Sequence, residues 1–174
     1  MGKEKKLELY PVGGKREWFK IRYVGMIDVG QLYATLQHYL RSHGYRVVLK
    51  EQTEAAKASG KEEVVEWEAT KGISPYVQYV VNVQVWMYRG VEVLVEEGGS
   101  RQRKMSATLE VRFRAMMQKN FRPVFQKKLT HEYARQVYEK YIAKQRLAVQ
   151  EDALAKEASG LIDEARRVLG LVRA

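Results

Sequence analysis

Few residues in this sequence have the types and spacing that catalysis or metal binding requires. The three aspartates are far apart: one has the character of a helix cap and two fall in the C-terminal helical region. No carboxylate pair with the spacing of a general acid and base results. His38, His43 and His131 match no metal-binding spacing. We therefore predict no catalytic residue, no metal ligand and no cofactor, and expect a protein that is not an enzyme.

The motifs of nucleophilic and phosphate chemistry are also incomplete. Gly13-Gly14-Lys15 is followed by Arg16, whereas a Walker loop needs four residues between its glycines and a Ser or Thr after the lysine. The sequence contains no Gly-x-Ser-x-Gly and no cysteine, so thiolate chemistry and cysteine-based zinc sites are excluded. A turn is the simpler interpretation of the two glycines.

Positive charge, in contrast, is concentrated in one quarter of the chain. The formal net charge is +10. Residues 101–146 hold thirteen Lys and Arg against three Glu, whereas 1–100 hold fourteen against thirteen acids and 147–174 hold four against five. Such segregation favours an anionic partner. The alternative is a solvated surface that keeps the protein soluble.

Nucleic acid is the anionic partner that these residues suit best, because Arg and Lys neutralise phosphates and release counterions. The predicted hairpin tip, residues 99–104, carries three basic side chains beyond the sheet, those of Arg101, Arg103 and Lys104. The predicted nucleic-acid-binding residues are Arg101, Arg103, Lys104, Arg112, Arg114, Lys119, Arg122, Lys127, Lys128, Arg135, Lys140 and Lys144. The tip can also serve only to protect a sheet edge from aggregation.

A second candidate surface is the outward face of the predicted sheet. Its basic residues are Lys20, Arg22, Arg46, Lys50, Arg112 and Arg114. Glu66, Glu68 and Glu110 share this face, so cross-strand salt bridges explain the mixture without a ligand. Tyr76, Trp86 and Tyr88 also alternate onto it and can stack on bases. If the C-terminal helices cover that face, which we expect, these rings are interior packing instead.

The sheet is predicted by a two-residue hydrophobic period that is longest between Tyr76 and Met117. Gly90 and the turn-forming residues Glu97-Gly98-Gly99-Ser100 divide this stretch, so we predict a meander of three strands there. Further strands are predicted at 18–24, 45–49 and 65–69, and the polar stretch from Gln52 to Glu63 is predicted to be a loop or frayed helix.

Helical spacing follows two capping signals. Asp28 is a predicted N-cap for a helix that ends at Gly44, and Thr130 is a predicted cap for a long helix that ends at Ser159-Gly160 before a last short helix. The predicted fold is α+β, with an antiparallel sheet of about six strands. Residues 1–126 form the predicted sheet domain, and 127–174 form a helical extension that packs on the sheet or on a neighbouring subunit.

Five short segments resemble a family of archaeal conserved hypothetical proteins with no assigned function. The segments are Val24-Gly25-Met26-Ile27-Asp28, Leu32-Tyr33, Gly44-Tyr45, Glu66-Trp67-Glu68-Ala69 and Tyr138-Glu139-Lys140-Tyr141-Ile142. The resemblance implies an archaeal or archaeal-virus source and assigns no role to any residue. The abundance of Lys, Glu and Arg leans the same way, towards a thermophile.

From these features we predict a non-catalytic structural subunit of an assembly that contains nucleic acid, either a virion or a ribonucleoprotein. Its expected partners are other copies of itself or other subunits, with RNA or DNA. The alternative is a free-standing RNA- or DNA-binding protein, and a small-molecule enzyme comes third. The charged start precedes no apolar run and no window could span a membrane, so we expect a cytoplasmic or virion location.

Overall fold

One antiparallel sheet forms the body of the protein. The computed structural model describes residues 9–11, 18–119 and 129–171. The strands are β1 (Leu9–Pro11), β2 (Phe19–Ile27), β3 (Arg46–Lys57), β4 (Gly60–Gly72), β5 (Val77–Glu97) and β6 (Ser100–Lys119). β1 and β2 pair with the same edge of β6, and β5, β4 and β3 follow on its other side. The sheet is therefore five strands wide.

The helical elements confirm a mixed α+β protein. They are α1 (Val29–Ser42), α2 (Leu129–Val137), a π-helical segment (Tyr138–Ile142) and α3 (Lys144–Val168). The side chains of Leu36 on α1 and of Leu154 and Leu161 on α3 are buried within one core with alternate residues of the strands. The face of the sheet against which α1 and α3 pack is called the covered face. Its residues on β5 include Val77, Tyr79, Val81, Val83, Val85 and Met87.

The prediction of a three-strand meander is wrong. The long two-residue period belongs to a single hairpin, formed by β5 and β6. Gly90 does not end β5, because the chain accommodates it in a bulge between Tyr88 and Val91, with Arg89 at a φ of 54°. The bulge shifts the alternation by one residue. Val91, Val93 and Val95 consequently join Tyr88 on the face opposite the helices.

The prediction of a loop or frayed helix from Gln52 to Glu63 is wrong. These residues continue β3 and begin β4, and the two strands stay paired as far as Lys57 and Gly60. The segment has no hydrophobic period because it is mostly exposed, with cross-strand ion pairs such as Lys61 Nζ to Glu54 Oε1 at 3.0 Å. Polar residues can form a strand where both neighbours and water satisfy them.

The boundaries of α1 agree with the capping signals. The Asp28 carboxylate accepts a hydrogen bond from the Gln31 amide at 2.9 Å, which satisfies a free amide of the first turn. Gly44 follows the helix with a φ of 83°, in the left-handed region that glycine favours.

The C-terminal helices are interrupted at a different place from the predicted one. Helical structure already includes Leu129, so Thr130 lies inside α2, and the π-helical segment separates α2 from α3. Ser159 and Gly160 lie within α3, which runs unbroken to Val168. Gly160 is needed for packing, because α1 presents Tyr39 there and the Tyr39 hydroxyl donates to the Glu157 carbonyl at 3.0 Å.

We expect Gly160→Ala to destabilise the protein, although alanine normally stabilises a helix by about 1 kcal/mol relative to glycine. A Cβ at residue 160 would overlap the Tyr39 hydroxyl. Overpacking of this kind costs about 1–3 kcal/mol. Urea unfolding measures the change, with Ser159→Ala, an exposed neighbour on the same helix, as the matched control. A Gly160→Ala protein more stable than wild type would contradict this packing.

Candidate nucleic-acid interface

The face of the sheet opposite α1 and α3, which we call the open face, carries two partly exposed aromatic rings. Trp86 and Tyr88 lie on it in the middle of β5. We expected these rings to be interior packing, but α1 and α3 cover the other face. Tyr76 does not join them, because it is buried against Tyr138 and its hydroxyl donates to the Glu139 carboxylate.

The two rings form a nearly parallel pair with a cation over one of them. Their centroids are 6.3 Å apart and their planes differ by 24°. The Arg112 guanidinium lies 4.7 Å from the centroid of the Trp86 ring. This geometry gives a cation–π contact, and both rings keep part of their surface exposed. Base stacking requires such a surface.

Strand register places basic side chains on the β2 side of the rings, whereas Glu66 and Glu68 lie on the β4 side. Arg22, Glu110 and Trp86 lie side by side on β2, β6 and β5, and Lys20, Arg112 and Gln84 form the next row. Lys20 and Arg22 are exposed. The open face therefore has an aromatic centre in β5 and a basic border on β2.

Polar side chains between these residues are held by hydrogen bonds. The Gln84 amide donates to Glu66 Oε2 at 2.8 Å and accepts from Trp86 Nε1 at 3.4 Å. Arg112 Nε donates to Glu110 Oε1 at 2.6 Å. This network fixes the Trp86 ring between strands, which lowers the conformational entropy that a bound base would have to remove.

Cross-strand ion pairs account for part of the charge on this face. Lys50 Nζ lies 3.4 Å from Glu68 Oε1, and Arg22 Nη2 lies 3.7 Å from Glu110 Oε2. The Arg22 side chain nevertheless keeps 73% of its surface exposed. Pairs as exposed as these contribute at most about 1 kcal/mol, so an incoming phosphate can compete for the guanidinium.

A second aromatic–arginine contact lies towards the other end of the open face. The Arg114 guanidinium lies 4.4 Å from the centroid of the Trp18 ring. Arg114 faces Asn82 across β5 and β6, and the Asn82 side-chain oxygen is buried with no hydrogen-bond partner in the described part of the chain. Trp18 was not among the predicted residues. The only sequence signal for Trp18 is that it directly precedes the alternating residues of β2.

The hairpin-tip residues lie far from the basic residues at the other end of β6. Arg103 and Lys119 are sixteen residues apart on one strand, which corresponds to about 50 Å. Arg101 pairs with Glu96 at 3.2 Å and Lys104 with Glu97 at 2.5 Å, while Arg103 is exposed. The tip therefore cannot form one site with the helices.

The remaining predicted residues fall near the other end of the sheet or outside the described ranges. Lys119 lies 3.8 Å from Glu139. Lys140 and Lys144 are exposed, and Arg135 is partly buried in α2. Arg122, Lys127 and Lys128 lie outside the described residues. The structure thus distributes the predicted nucleic-acid-binding residues over the hairpin tip, the open face and the C-terminal helical elements.

A small cavity of about 250 Å³ lies on the covered face beside Trp67. The ring of Tyr33 contacts that of Trp67 edge to face, with the two centroids 5.1 Å apart. Burial is the main cause that raises the pKa of Tyr33, and the nearby Glu63 carboxylate raises it further. Trp86 lies on the opposite face, so the two tryptophans do not line one pocket. Within the described ranges, no three metal-ligating side chains are grouped, and no helix is long and apolar enough to cross a membrane.

These features define a mixed α+β protein with one face of its antiparallel sheet packed by helices and an aromatic and basic site on the other. The sequence matches no protein-family model and none of the curated proteins with which it was compared.

Proposed function

We propose that this protein is a non-catalytic subunit of an assembly that contains nucleic acid, a virion or a ribonucleoprotein, and that its open face holds a single strand. The observation that carries the proposal is the ring pair of Trp86 and Tyr88 with Arg112 packed on it. Stacking on such rings tolerates any base sequence.

The shape of the site favours a single strand over a duplex. Bases within a duplex are stacked on one another and cannot lie on protein rings, whereas unpaired bases can be splayed onto a sheet. Lys20 and Arg22 border the rings on β2, where they are placed to contact the phosphates of a strand whose bases lie on β5. The Gln84 amide beside Trp86 offers hydrogen bonds to a base edge.

A free-standing nucleic-acid-binding protein is the alternative, and the same open face supports it. The two proposals differ in the number of copies that act together and not in the site.

Fluorescence anisotropy with labelled single-stranded RNA, single-stranded DNA and a duplex of the same sequence tests the site. We expect the full chain to prefer the single strands. Four basic side chains, Lys20, Arg22, Arg112 and Arg114, predict a log–log salt slope of about −2 to −3, at about −0.7 per phosphate contact. Absence of binding at about 50 mM salt, or equal binding of the duplex, would overturn the proposal.

A further inference from the structure

Arg114 on the open face carries a positive charge that no acid of the described ranges neutralises. Its partly buried guanidinium packs on the Trp18 ring, and its Nε is buried without a hydrogen-bond partner. Asn82 faces Arg114 across β5 and β6, but the Asn82 side-chain oxygen is unpartnered as well, so the neighbouring strand does not hold the guanidinium. A partly buried charge without a partner is costly, and an anion from another molecule would stabilise it.

Lys20 is a second cation beside Arg114 that has no ion pair in the part of the chain that the structure describes. It lies on β2 opposite Arg112, and its side chain is exposed. Residues on adjacent strands that are offset by two positions lie about 7–8 Å apart, so Lys20 and Arg114 can contact the same anion. Arg112 and Arg22, in contrast, both pair with the Glu110 carboxylate. The two unpaired cations therefore match an anion that carries about two charges.

The acidic residues of β4 restrict the direction in which a nucleic-acid strand can lie on the open face. Glu66 and Glu68 continue the rows of Arg112 and Arg114 across β5. A polyanion that crossed the strands of the sheet would pass over these carboxylates, whereas one that follows β6 stays beside basic side chains. We therefore expect a bound single strand to run along β6.

The open face is accessible on one side of Arg114 and closed on the other. Towards the β5–β6 hairpin tip, Val24 on β2 is 72% exposed and Val91 on β5 is 53% exposed. In the next row beyond Arg114, Val80 and Met116 are buried, although the register places them on the open face. A nucleic-acid strand that follows β6 past the ring pair must therefore end close to Arg114.

The end of a nucleic-acid strand can carry the charge that these two cations match. A terminal phosphate monoester carries a charge of about −1.5 to −2 at pH 7, whereas a phosphodiester within the strand carries a single negative charge. A planar guanidinium can donate two parallel hydrogen bonds to phosphate oxygens. The Trp18 ring, packed against the Arg114 guanidinium, would hold it in place for this contact.

We propose that the open face binds the end of a single-stranded nucleic acid, with its terminal phosphate monoester on Arg114 and Lys20. Trp86 pairs with Glu110, four residues before Arg114 on β6, which corresponds to about 14 Å along the strand. This distance leaves room for the terminal nucleotide between the phosphate and the bases stacked on the rings. The inference rests on the proposed function, because it names the part of the single strand that the open face holds.

Fluorescence anisotropy with the full chain and four forms of one internally labelled oligonucleotide, as RNA and as DNA, tests this inference. Three linear forms carry a 5′-phosphate, a 3′-phosphate or hydroxyls at both ends, and the fourth form is a closed circle. We expect at least one phosphorylated form to bind about 10- to 150-fold more tightly than the hydroxyl-ended form, because charge-assisted hydrogen bonds are added. The circle, which has no end, should bind no more tightly than the hydroxyl-ended form.

Variants of Arg114 connect this preference to the proposed contact. Arg114→Ala is expected to remove the preference for a terminal phosphate, while the hydroxyl-ended form still binds through the rings. Arg114→Lys keeps the charge but not the paired hydrogen bonds, so it should retain only part of the preference. Arg103→Ala, which removes an exposed arginine from the hairpin tip of the same strand, is the matched control and should retain all of it. Circular dichroism verifies that each variant is folded.

Failure of this inference can be distinguished from failure of the proposed function. Equal binding of the phosphorylated and hydroxyl-ended forms by the wild-type protein would overturn the inference and leave the single-strand site intact. A preference for the phosphate that survives in Arg114→Ala would also overturn it, because the phosphate would then lie elsewhere. Absence of binding to every form would overturn the proposed function and this inference with it.

Discussion

The Trp86→Ala variant is expected to bind a single-stranded oligonucleotide about 5- to 150-fold more weakly than the wild-type protein. Loss of one base–aromatic stack costs about 1–3 kcal/mol, which corresponds to that range of dissociation constants. The variant also removes the ring that Arg112 covers and that lies beside Tyr88, so the stacking surface loses its centre. Anisotropy titration at fixed salt measures the change.

Two controls separate stacking from a general loss of structure. Trp86→Phe keeps a ring at the same position and should retain most of the affinity. Tyr133→Ala removes a ring that is 72% exposed in α2 and is not part of the sheet, so it should leave the affinity unchanged. An affinity of Trp86→Ala within twofold of the wild type would show that this ring does not contact the strand.

The position of this ring pair could not be read from the sequence, although its members could. The alternation in β5 correctly separated Trp86 and Tyr88 from the core residues Val83 and Val85. Alternation cannot say which face the helices cover when both faces carry apolar residues. That choice depends on where α3 packs, which is a contact between residues more than sixty positions apart, such as Tyr79 and Gln150.

Errors in the strand boundaries have a common physical origin. Gly90 looks like a strand terminator, yet a bulge accommodates it and the ladder with β6 continues on the far side. The polar stretch from Gln52 to Glu63 looks like a loop because it has no buried face to impose a period. Both cases involve cross-strand pairing, which overrides local preference and leaves no local signal.

Gly160 illustrates the same limit for helices. Ser159-Gly160 is a reasonable predicted end for a helix, since glycine lowers helix stability. The glycine is tolerated because Tyr39 of α1 occupies the space that a side chain would fill and donates to the Glu157 carbonyl. Capping at Asp28, in contrast, involves residues three positions apart, and the sequence predicted it correctly.

The sequence showed which segment carries the excess positive charge, but it did not predict where those side chains lie in the fold. Residues 101–146 are strongly basic, yet β6 runs from the hairpin tip towards the C-terminal helical elements and separates their charges. Several of them already have acidic partners, Arg101, Lys104 and Arg112 among them. The positive charge that a ligand can reach is therefore local, at the exposed side chains of the open face and of the π-helical segment.

The sequence left open whether α3 packs on its own sheet or on a neighbouring subunit. In the structure, the Glu157 carboxylate joins α3 to the sheet of its own chain. This carboxylate accepts from Lys71 Nζ at 2.7 Å and from the Tyr45 hydroxyl at 2.6 Å. The Lys71 ammonium also lies 5.2 Å from the centroid of the Tyr45 ring. Burial, together with the hydrogen bond to Glu157, raises the pKa of Tyr45, so the hydroxyl stays protonated and can donate.

We expect Glu157→Ala to lower the free energy of unfolding by about 2–3 kcal/mol, because hydrogen bonds to charged groups contribute about 1.5–3 kcal/mol and Lys71 would lose its partner. Urea unfolding measures this loss. Asp152→Ala, which removes an exposed carboxylate from the same helix, should change stability by less than about 0.5 kcal/mol. Glu157→Gln should fall between the two, since its amide oxygen can still accept from Tyr45. Equal stability of Glu157→Ala and Asp152→Ala would mean that apolar packing around Leu154 and Leu161 holds α3 on the sheet without this carboxylate.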